Sequence, residues 1–374
     1  MTKKILLIAL AIIVGLTIAV SAFVFINYKK IVVKSNKVKP EVVSLTPTPT
    51  PDPLRPYSIL LMGYGGTAHQ GGTLTDSIIV AKIDPKLEKV SLVSIPRDLW
   101  VPIPISVGET KMSKINAAYS IGADDKKYPN KSIEFTGPAG GGELSKSVVG
   151  KVVGFNIDYF TTLDFQGFVK TVDILGGINV KVQNTLDDPF YPLETNITDT
   201  CGKSEEEITA LTATMSGDKL EQQFTCRYEH LHFDAGIQTM DGATALKFVR
   251  SRHSAQDGGD FNRAARQRLV IESVKNKMIS VNFIPKIISF VNTLTNNMKT
   301  DIDVSKMQEL IGKAPELSKY QIISIPLTSQ NVLKFGTSAD KQSILIPTEG
   351  IDQWDKVHEF IDNPVSTPSA NTQQ

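Results

Sequence analysis

The chain has 374 residues, 41% hydrophobic and 21% charged, a globular composition with room for one large domain or two smaller ones. Its 40 basic and 39 acidic residues leave a formal net charge of +1, which argues against a general DNA or RNA binder, because such proteins carry strongly basic domains. The two cysteines show no zinc-binding spacing and fit a single disulfide outside the cytoplasm, with two free buried thiols as the alternative.

An unbroken apolar run occupies residues 5–26 and is long enough to cross a bilayer as a helix. A cleaved signal peptide is the alternative, but the run exceeds a typical signal core, so we expect an uncleaved anchor. Several lysines follow the run, and the positive-inside count therefore does not favour an outward C-terminus. The cysteine pair and a proline-rich spacer nevertheless favour an extracytoplasmic body. We predict a cytoplasmic stub and transmembrane anchor at 1–28 and a proline-rich extracellular linker at 29–56.

Alternation of strands and helices begins at Tyr57 and predicts an α/β fold, a central mixed β-sheet sandwiched between α-helices. Strands are predicted at 57–62, 76–83, 89–95, 157–163, 178–182 and 320–325. Helices are predicted at 143–153, 164–175, 283–298, 304–311 and 354–361, with shorter ones around the arginine segment described below. Residues 111–119 are interpreted as a loop that enters a helix, and 136–143 as a flexible loop.

The predicted catalytic domain spans 57–362. Within it, residues 187–230 are polar and weakly periodic, so we interpret them as an insertion closed by a Cys201–Cys226 disulfide. The tail, 363–374, has the composition of a disordered segment.

The second and third predicted strands are joined by a short Asp84-Pro85 turn, which favours an antiparallel hairpin. The start of one strand and the end of the other then lie at the same edge of the sheet. The hairpin therefore predicts that Asp76 lies beside Arg97 and Asp98.

Five arginines lie in the short segment 246–268 of this nearly neutral chain. They are Arg250, Arg252, Arg263, Arg266 and Arg268. Guanidinium groups are planar, always charged and suited to bidentate contact with phosphate oxygens, so the segment predicts a phosphate site. A solvated basic helix face is the alternative. For Arg266 and Arg268 both interpretations stay open.

Local signals on the first side of this segment predict where two of the arginines point. Asp241 is placed to cap a short helix that ends near Val249. Arg250 and Arg252 would then lie on extended backbone, where side chains two residues apart leave the same face.

The other side of the segment begins with a glycine turn. Asp260 is placed to cap a second helix, on which Arg263 and Gln267 are four residues apart and therefore neighbours. Cationic and amide donors would thus converge from both sides of one tight turn.

Six motifs occur along the chain in the order known from one protein family. They are ILLMGYGG, LTDSIIVAKIDPKLEKVSLVSIPRDLWVPI, KINAAY, ILGGINVKV, DGATALKFVRSRH and DFNRAARQR. Together they resemble the LytR-CpsA-Psr proteins over roughly 57–280. The resemblance implies a membrane-anchored enzyme on the outer face of a bacterial cell. Such an enzyme transfers a glycan phosphate from a polyprenyl-pyrophosphate carrier to peptidoglycan, with a divalent metal such as Mg²⁺. It has membrane, carrier-linked glycan and peptidoglycan as partners, and no nucleic acid.

The same resemblance assigns roles motif by motif. Asp76 would bind the metal, and a larger polar set would bind the pyrophosphate, with Asp260 and Arg263 either touching it or holding the arginines in place. That set is Arg97, Lys114, Arg250, Arg252, Asp260, Arg263 and Gln267. Asp98 either supports Arg97 or acts directly. The predicted catalytic residues are Asp76, Arg97, Asp98, Arg250 and Arg252.

Two positions depart from the family pattern. Gly65 stands where the family usually has an aspartate, and Leu74 where it usually has an arginine. His69, in the same loop, could replace either group or be an ordinary surface residue. The departures leave two other functions open, namely a lipid-pyrophosphate phosphatase and a module that binds anionic lipid or glycan without turnover.

Overall fold

The computed structural model describes residues 31–36, 52, 54–66, 72–256, 258–280, 293–294, 296–313 and 316–364. The predicted anchor, most of the predicted linker, His69, most of the predicted helix at 283–298 and nearly all of the tail lie outside these residues. Within the described part of the chain, no helix is both long enough and apolar enough to span a bilayer. The chain divides into two compact units, unit 1 (Met1–Ile174 and Ile279–Gln374) and unit 2 (Leu175–Met278).

The strands are numbered in chain order. They are β1 (Tyr57–Tyr64), β2 (Thr75–Asp84), β3 (Lys89–Ser94), β4 (Trp100–Ser106), β5 (Glu109–Lys114), β6 (Tyr159–Asp164), β7 (Ile178–Val182), β8 (Leu186–Pro192), β9 (Tyr228–Phe233), β10 (Gly236–Met240), β11 (Met298–Thr300), β12 (Gln321–Pro326), β13 (Leu333–Thr337) and β14 (Ser343–Pro347).

The α-helices are numbered in the same way. They are α1 (Ala117–Ala123), α2 (Gly140–Val153), α3 (Phe165–Ile174), α4 (Glu205–Thr214), α5 (Asp218–Glu221), α6 (Gly242–Arg250), α7 (Gly259–Ser280), α8 (Val304–Gly312) and α9 (Asp355–Asp362).

Unit 1 is built on a six-stranded sheet in the order β11-β6-β1-β2-β3-β12. The β1–β6 and β3–β12 pairs are parallel and the other pairs antiparallel, so the predicted mixed sheet is confirmed. Apolar residues of the strands, such as Leu60 and Val80, form one core with residues of α1, α2 and α9, such as Leu144 and Val357. Residues 31–36 belong to this body, since the Val33 amide donates to the Thr300 carbonyl at 2.9 Å.

The predicted antiparallel hairpin of the second and third strands is confirmed. Asp84 pairs with Lys89, and the register continues to Ile79 opposite Ser94. One carboxylate oxygen of Asp84 accepts hydrogen bonds from the amides of Lys86 and Leu87, at 3.0 and 3.1 Å. An aspartate that caps its own turn fixes the register and therefore the edge at which the hairpin's two open ends meet.

Two predictions for unit 1 are wrong. Residues 111–119 enter a helix, α1, as predicted, but residues 111–114 are not a loop, because they belong to β5, which pairs with β4 in a two-stranded ribbon. Pro102 and Pro104 hide β4 from sequence reasoning, but a ribbon leaves each strand one unpaired edge that proline can occupy.

Residues 136–143 are also not a flexible loop, because α2 begins at Gly140. A Cβ atom at Gly140 would lie 2.5 Å from the Phe135 carbonyl oxygen, and one at Gly142 would lie 2.2 Å from the Phe160 ring. These glycines serve close packing, since a side chain at either position would collide with its neighbour.

Unit 2 contains two antiparallel strand pairs, β7–β10 and β8–β9, together with helices α4 to α7. The predicted insertion at 187–230 includes most of β8, all of α4 and α5, and the first part of β9. Helix α4 begins with a capping box formed by Ser204 and Glu207. Cys201 and Cys226 form a disulfide with a Cα–Cα distance of 5.6 Å, which ties the two ends of this helical region together.

Candidate active site

Unit 1 gathers acids and cations at the open end of the β2–β3 hairpin. Asp76 lies near the start of β2, and Arg97 and Asp98 lie in the turn after β3. The guanidinium Nη1 of Arg97 donates to the Asp76 carboxylate at 2.5 Å, and its Nε lies 3.6 Å from Asp98. The predicted proximity of these three residues is therefore observed. Their functional roles stay predictions.

Lys114 completes this arrangement from the end of β5, where it pairs across the ribbon with Trp100. Its Nζ donates to Asp98 at 2.7 Å. Asp76, Arg97, Asp98 and Lys114, hereafter the carboxylate–cation cluster, thus form a chain of alternating charges. All four side chains are between 24% and 35% exposed, enough for a ligand to reach them and not enough for full solvent screening.

The main chain around the cluster is held by Asn116, a residue whose scaffolding role the sequence did not reveal. Its amide donates to the Arg97 carbonyl at 3.3 Å, and its carbonyl accepts from the Thr75 amide at 3.1 Å. Asn116 follows Lys114 in the KINAAY motif. The motif therefore links the turn that carries Arg97 to the start of the strand that carries Asp76.

The two departures from the family pattern lie in and beside the loop between β1 and β2. Gly65 offers no side chain, and Leu74 is 37% exposed. Gly66, which follows Gly65, has a φ of 90°, a left-handed backbone conformation that favours glycine. Its amide donates to the Gly72 carbonyl at 3.2 Å. Neither Gly65 nor Leu74 can supply the carboxylate or the guanidinium that the family usually has at these positions.

In unit 2, Asp241 caps helix α6 as predicted, since its side chain accepts from the Thr244 amide at 2.8 Å. The helix extends through Arg250, one residue beyond the predicted end, and Ser251 is its C-cap. The argument from alternating extended residues therefore does not apply to Arg250 and Arg252. Instead, Arg250 is in the last helical turn, with its guanidinium carbon 5.8 Å from the centre of the Tyr191 ring.

A buried carboxylate holds the chain after α6. Asp188, which is 0% exposed, accepts hydrogen bonds from the Ser251 hydroxyl at 2.6 Å and from the Arg252 and His253 amides at 3.0 and 3.1 Å. Burial alone would raise the pKa of Asp188, but these hydrogen bonds, with one from the Phe190 amide, stabilise the charged form and hold its pKa below the usual value.

A buried arginine holds the same stretch from helix α7. Arg266 is 2% exposed, and its Nε donates to the Phe248 carbonyl at 2.9 Å while its Nη2 donates to the Ser251 carbonyl. These carbonyls belong to the C-terminal turn and C-cap of α6, where a cation also complements the helix dipole. Arg266 is therefore a structural residue and not part of a solvated face.

For the other predicted residues of α7, the structure gives the position on the helix and, for most of them, the burial. Arg263 is 8% exposed, and Gln267 lies one turn further along the same helix. The prediction that Asp260 caps this helix is wrong, because the helix begins at Gly259 and Asp260 lies within its first turn. The Asp260 side chain is outside the described part of the structure. Arg268 is mostly buried, and desolvation lowers its pKa. Its Nη1 has no hydrogen-bond partner among the described residues.

The carboxylate–cation cluster has the chemistry that a Mg²⁺ ion requires of a protein, one or two carboxylates with room for water and phosphate oxygens. Asp76 and Asp98 are the two carboxylates of the cluster that could hold such an ion. One group of three metal-ligand residues was found in the described residues, Asp199 with Cys201 and Cys226, and its sulfurs are already joined in the disulfide.

The fold recurs in a solved structure, that of the protein gbs0355 from Streptococcus agalactiae. The two share 25% sequence identity and a TM-score of 0.54, over 79% of this chain and 83% of the other. The chain therefore has the same fold as that protein, an α/β fold with a mixed sheet and packed helices.

The model of the LytR-CpsA-Psr family matches residues 23–347, and the chain belongs to that family. Among curated relatives, a polyisoprenyl-teichoic acid–peptidoglycan teichoic acid transferase TagU from Oceanobacillus iheyensis is 29% identical over 255 residues, 68% of this chain. The TagU of Bacillus licheniformis is 27% identical over 255 residues, again 68% of this chain. The matched regions cover 61% and 63% of those two proteins, so the chain spans less than two thirds of their length.

Proposed function

We propose that this protein transfers a glycan phosphate from a polyprenyl-pyrophosphate carrier to a hydroxyl group of peptidoglycan. The observation that carries the proposal is the carboxylate–cation cluster of unit 1, in a chain that belongs to the LytR-CpsA-Psr family. The relatives named as teichoic acid transferases support the same reaction class, and a wall teichoic acid is one form that the glycan could take.

The reaction breaks one P–O bond of the pyrophosphate and forms another. The acceptor oxygen attacks the glycan-bearing phosphorus, polyprenyl phosphate leaves, and the acceptor hydroxyl loses a proton. Negative charge grows on the non-bridging and leaving oxygens, so that catalysis depends mainly on positioned cations. Arg97 is suited to this task because its planar fork is held by a hydrogen bond to Asp76, with the Asp98 carboxylate 3.6 Å from its Nε.

Lys114 would add a compact charge along the same phosphate path. A divalent ion held by Asp76, when bound, would neutralise further phosphate charge. The hydroxyl proton needs a base, and the cluster offers Asp76 and Asp98 for that role. Arg250, Arg252, Arg263 and Gln267 of unit 2 are proposed as further pyrophosphate ligands on the strength of their family motifs.

We further propose that residues 5–26 anchor the chain in the membrane and that the catalytic domain is extracytoplasmic. The apolar run supports the anchor, and the Cys201–Cys226 disulfide supports an oxidising compartment. The natural check is protease accessibility of the domain in intact cells.

A transfer assay with the full-length chain in detergent tests the proposed reaction. A polyprenyl-pyrophosphate glycan and Mg²⁺ are supplied with and without peptidoglycan oligomers. We expect glycan phosphate on the oligomer, and loss of product when EDTA removes the metal. Release of free glycan phosphate at the same rate in both arms would instead identify a phosphatase.

A non-catalytic binding module is the second candidate, because Gly65 and Leu74 remove one acid and one cation from the family pattern. Arg97→Ala and Arg252→Ala, each made singly, separate the two. If the replaced arginine acts on a pyrophosphate during turnover, its loss removes most of the product. A binding module would form no product in any variant and would only lose affinity.

A further inference from the structure

Unit 2 contains a cavity of about 440 Å³ that the proposed reaction does not by itself explain. Its walls come from three places: Phe190 on β8, Glu221 and Gln222 at the end of α5, and the stretch from Arg252 to the start of α7. The volume falls within the range of small-molecule sites. Because α5 belongs to the insertion, the disulfide-closed region supplies one wall of the cavity.

Hydrogen-bond donors and acceptors both line this cavity. Gln222, Gln256 and Asn262 each carry an amide, which offers both donors and an acceptor, and Glu221 offers a carboxylate. The Asn262 amide nitrogen donates to the Gly258 carbonyl at 3.1 Å, which orients its side chain. Such a mixture suits a ligand with many hydroxyl groups, since each hydroxyl both donates and accepts.

His253 adds a ring with a fixed orientation. Its Nδ1 lies 3.1 Å from the Phe190 carbonyl oxygen. A carbonyl oxygen only accepts, so Nδ1 donates to it, and Nε2 is the other polar atom of the ring.

One wall is aromatic. The Phe190 ring is partly exposed and is held edge-to-face against Tyr228, with ring centres 5.8 Å apart and planes at 82°. The face of an aromatic ring carries partial negative charge and attracts the C–H groups on one side of a sugar ring. The cavity therefore offers an aromatic ring for the C–H groups of a saccharide, and amides and a carboxylate for its hydroxyl groups.

From these groups we infer that the cavity binds a saccharide unit of a reacting glycan. The inference rests on the proposed function in one respect, the placement of a phosphate at Arg252, which also lines the cavity. A sugar attached to that phosphate would come from the carrier-linked glycan, whereas a sugar of the acceptor would come from peptidoglycan. The insertion then contributes to the choice of glycan, because Glu221 and Gln222 lie on it.

The test measures binding of three ligands to the full-length chain: a polyprenyl pyrophosphate without sugar, the same lipid carrying its glycan, and a lipid-free peptidoglycan oligosaccharide. The main variant is Glu221→Ala/Gln222→Ala, at two exposed positions, the last residue of α5 and the residue after it. Phe190→Leu is the second, since it keeps apolar volume and removes the aromatic face. Glu205→Ala/Glu206→Ala, exposed on α4 and not lining the cavity, is the matched control.

Both cavity variants should bind one sugar-bearing ligand about tenfold more weakly, the size of losing one good hydrogen bond or ring contact, and should bind the sugar-free lipid as before. Loss confined to the lipid-linked glycan identifies the donor sugar, and loss confined to the oligosaccharide identifies the acceptor. Unchanged affinity for both sugars overturns the inference. Failure of the proposed function is separate, because it would appear as sugar-free lipid binding that Arg252→Ala does not alter.

Discussion

The carboxylate–cation cluster of unit 1 and two buried charges of unit 2, Asp188 and Arg266, are held by different kinds of hydrogen-bond partner. In unit 1, the carboxylate–cation cluster pairs side chains with side chains, and every member is partly exposed. In unit 2, Asp188 and Arg266 are buried and bond mainly to the main chain of residues 248–253. Side-chain pairs at a surface can exchange partners when a ligand arrives, whereas charges bonded to buried main chain fix a shape. The first arrangement suits chemistry and the second suits support.

The largest effect expected from this contrast is on stability in unit 2. Arg266→Met keeps much of the side-chain volume but leaves the Phe248 and Ser251 carbonyls without their donor. We expect a loss of roughly 3–5 kcal/mol in the free energy of unfolding, measured by urea denaturation. A loss below about 1 kcal/mol would mean that Arg266 is not a support, since removal of a single buried hydrogen bond already costs that much.

A substitution in the carboxylate–cation cluster of unit 1 should lower activity and not stability. Arg97→Ala removes the guanidinium that both Asp76 and Asp98 contact, and we expect transition-state stabilisation to fall by roughly 3–4 kcal/mol, a loss of several hundred-fold in kcat/KM. Arg55→Ala is the control, because Arg55 is also paired with an aspartate, Asp158, but on the exposed surface. Equal activity of the two variants would remove the cluster from the mechanism.

The sequence predicts those elements that depend on residues close together in the chain. The Asp84-Pro85 turn predicts the hairpin, and the hairpin predicts that Asp76 lies beside Arg97, as observed. The Asp241 cap was readable for the same reason. The β4–β5 ribbon was missed because Pro102 and Pro104 are typical of loops, and only the partner strand makes them compatible with pairing.

The roles of the buried charges Asp188 and Arg266 could not be predicted from neighbouring residues in the sequence. Asp188 lies 63 residues before Ser251, and nothing near it in the sequence shows that it accepts from that hydroxyl. Arg266 and Arg268 looked alike because both stand in one arginine-rich helix. Which of them meets backbone carbonyls depends on the path of α6, a tertiary fact. The residue types predict charged sites, whereas burial and hydrogen-bond partners show which of the charges hold the main chain.

Asp188 gives a smaller, pH-dependent effect. Asp188→Asn turns an acceptor-only group into one with an amide that faces N–H donors, so we expect a loss of about 1–3 kcal/mol at neutral pH. Because hydrogen bonds hold the pKa of Asp188 below its usual value near ~3.9, the wild-type advantage is full above that value and is lost as the pH falls through the lower, folded-state pKa. Unfolding measured from pH 7 down to pH 3 should show the two proteins converging. A difference that persists unchanged in acid would contradict the assigned ionisation.

The smallest effect, and one of opposite sign, is expected two residues after Arg266. Arg268→Met removes a guanidinium that is mostly buried and whose Nη1 has no hydrogen-bond partner in the described part of the chain. Burial of one guanidinium nitrogen without a hydrogen-bond partner is unfavourable, so replacement of Arg268 by an apolar side chain of similar length should leave the free energy of unfolding unchanged or raise it by up to about 1 kcal/mol. Urea denaturation of Arg266→Met and Arg268→Met side by side measures this directly, since both changes remove one arginine from the same helix. If Arg268→Met proved as destabilising as Arg266→Met, the division between supporting and unsupported buried charge would be wrong, and loss of packing volume in α7 would account for both.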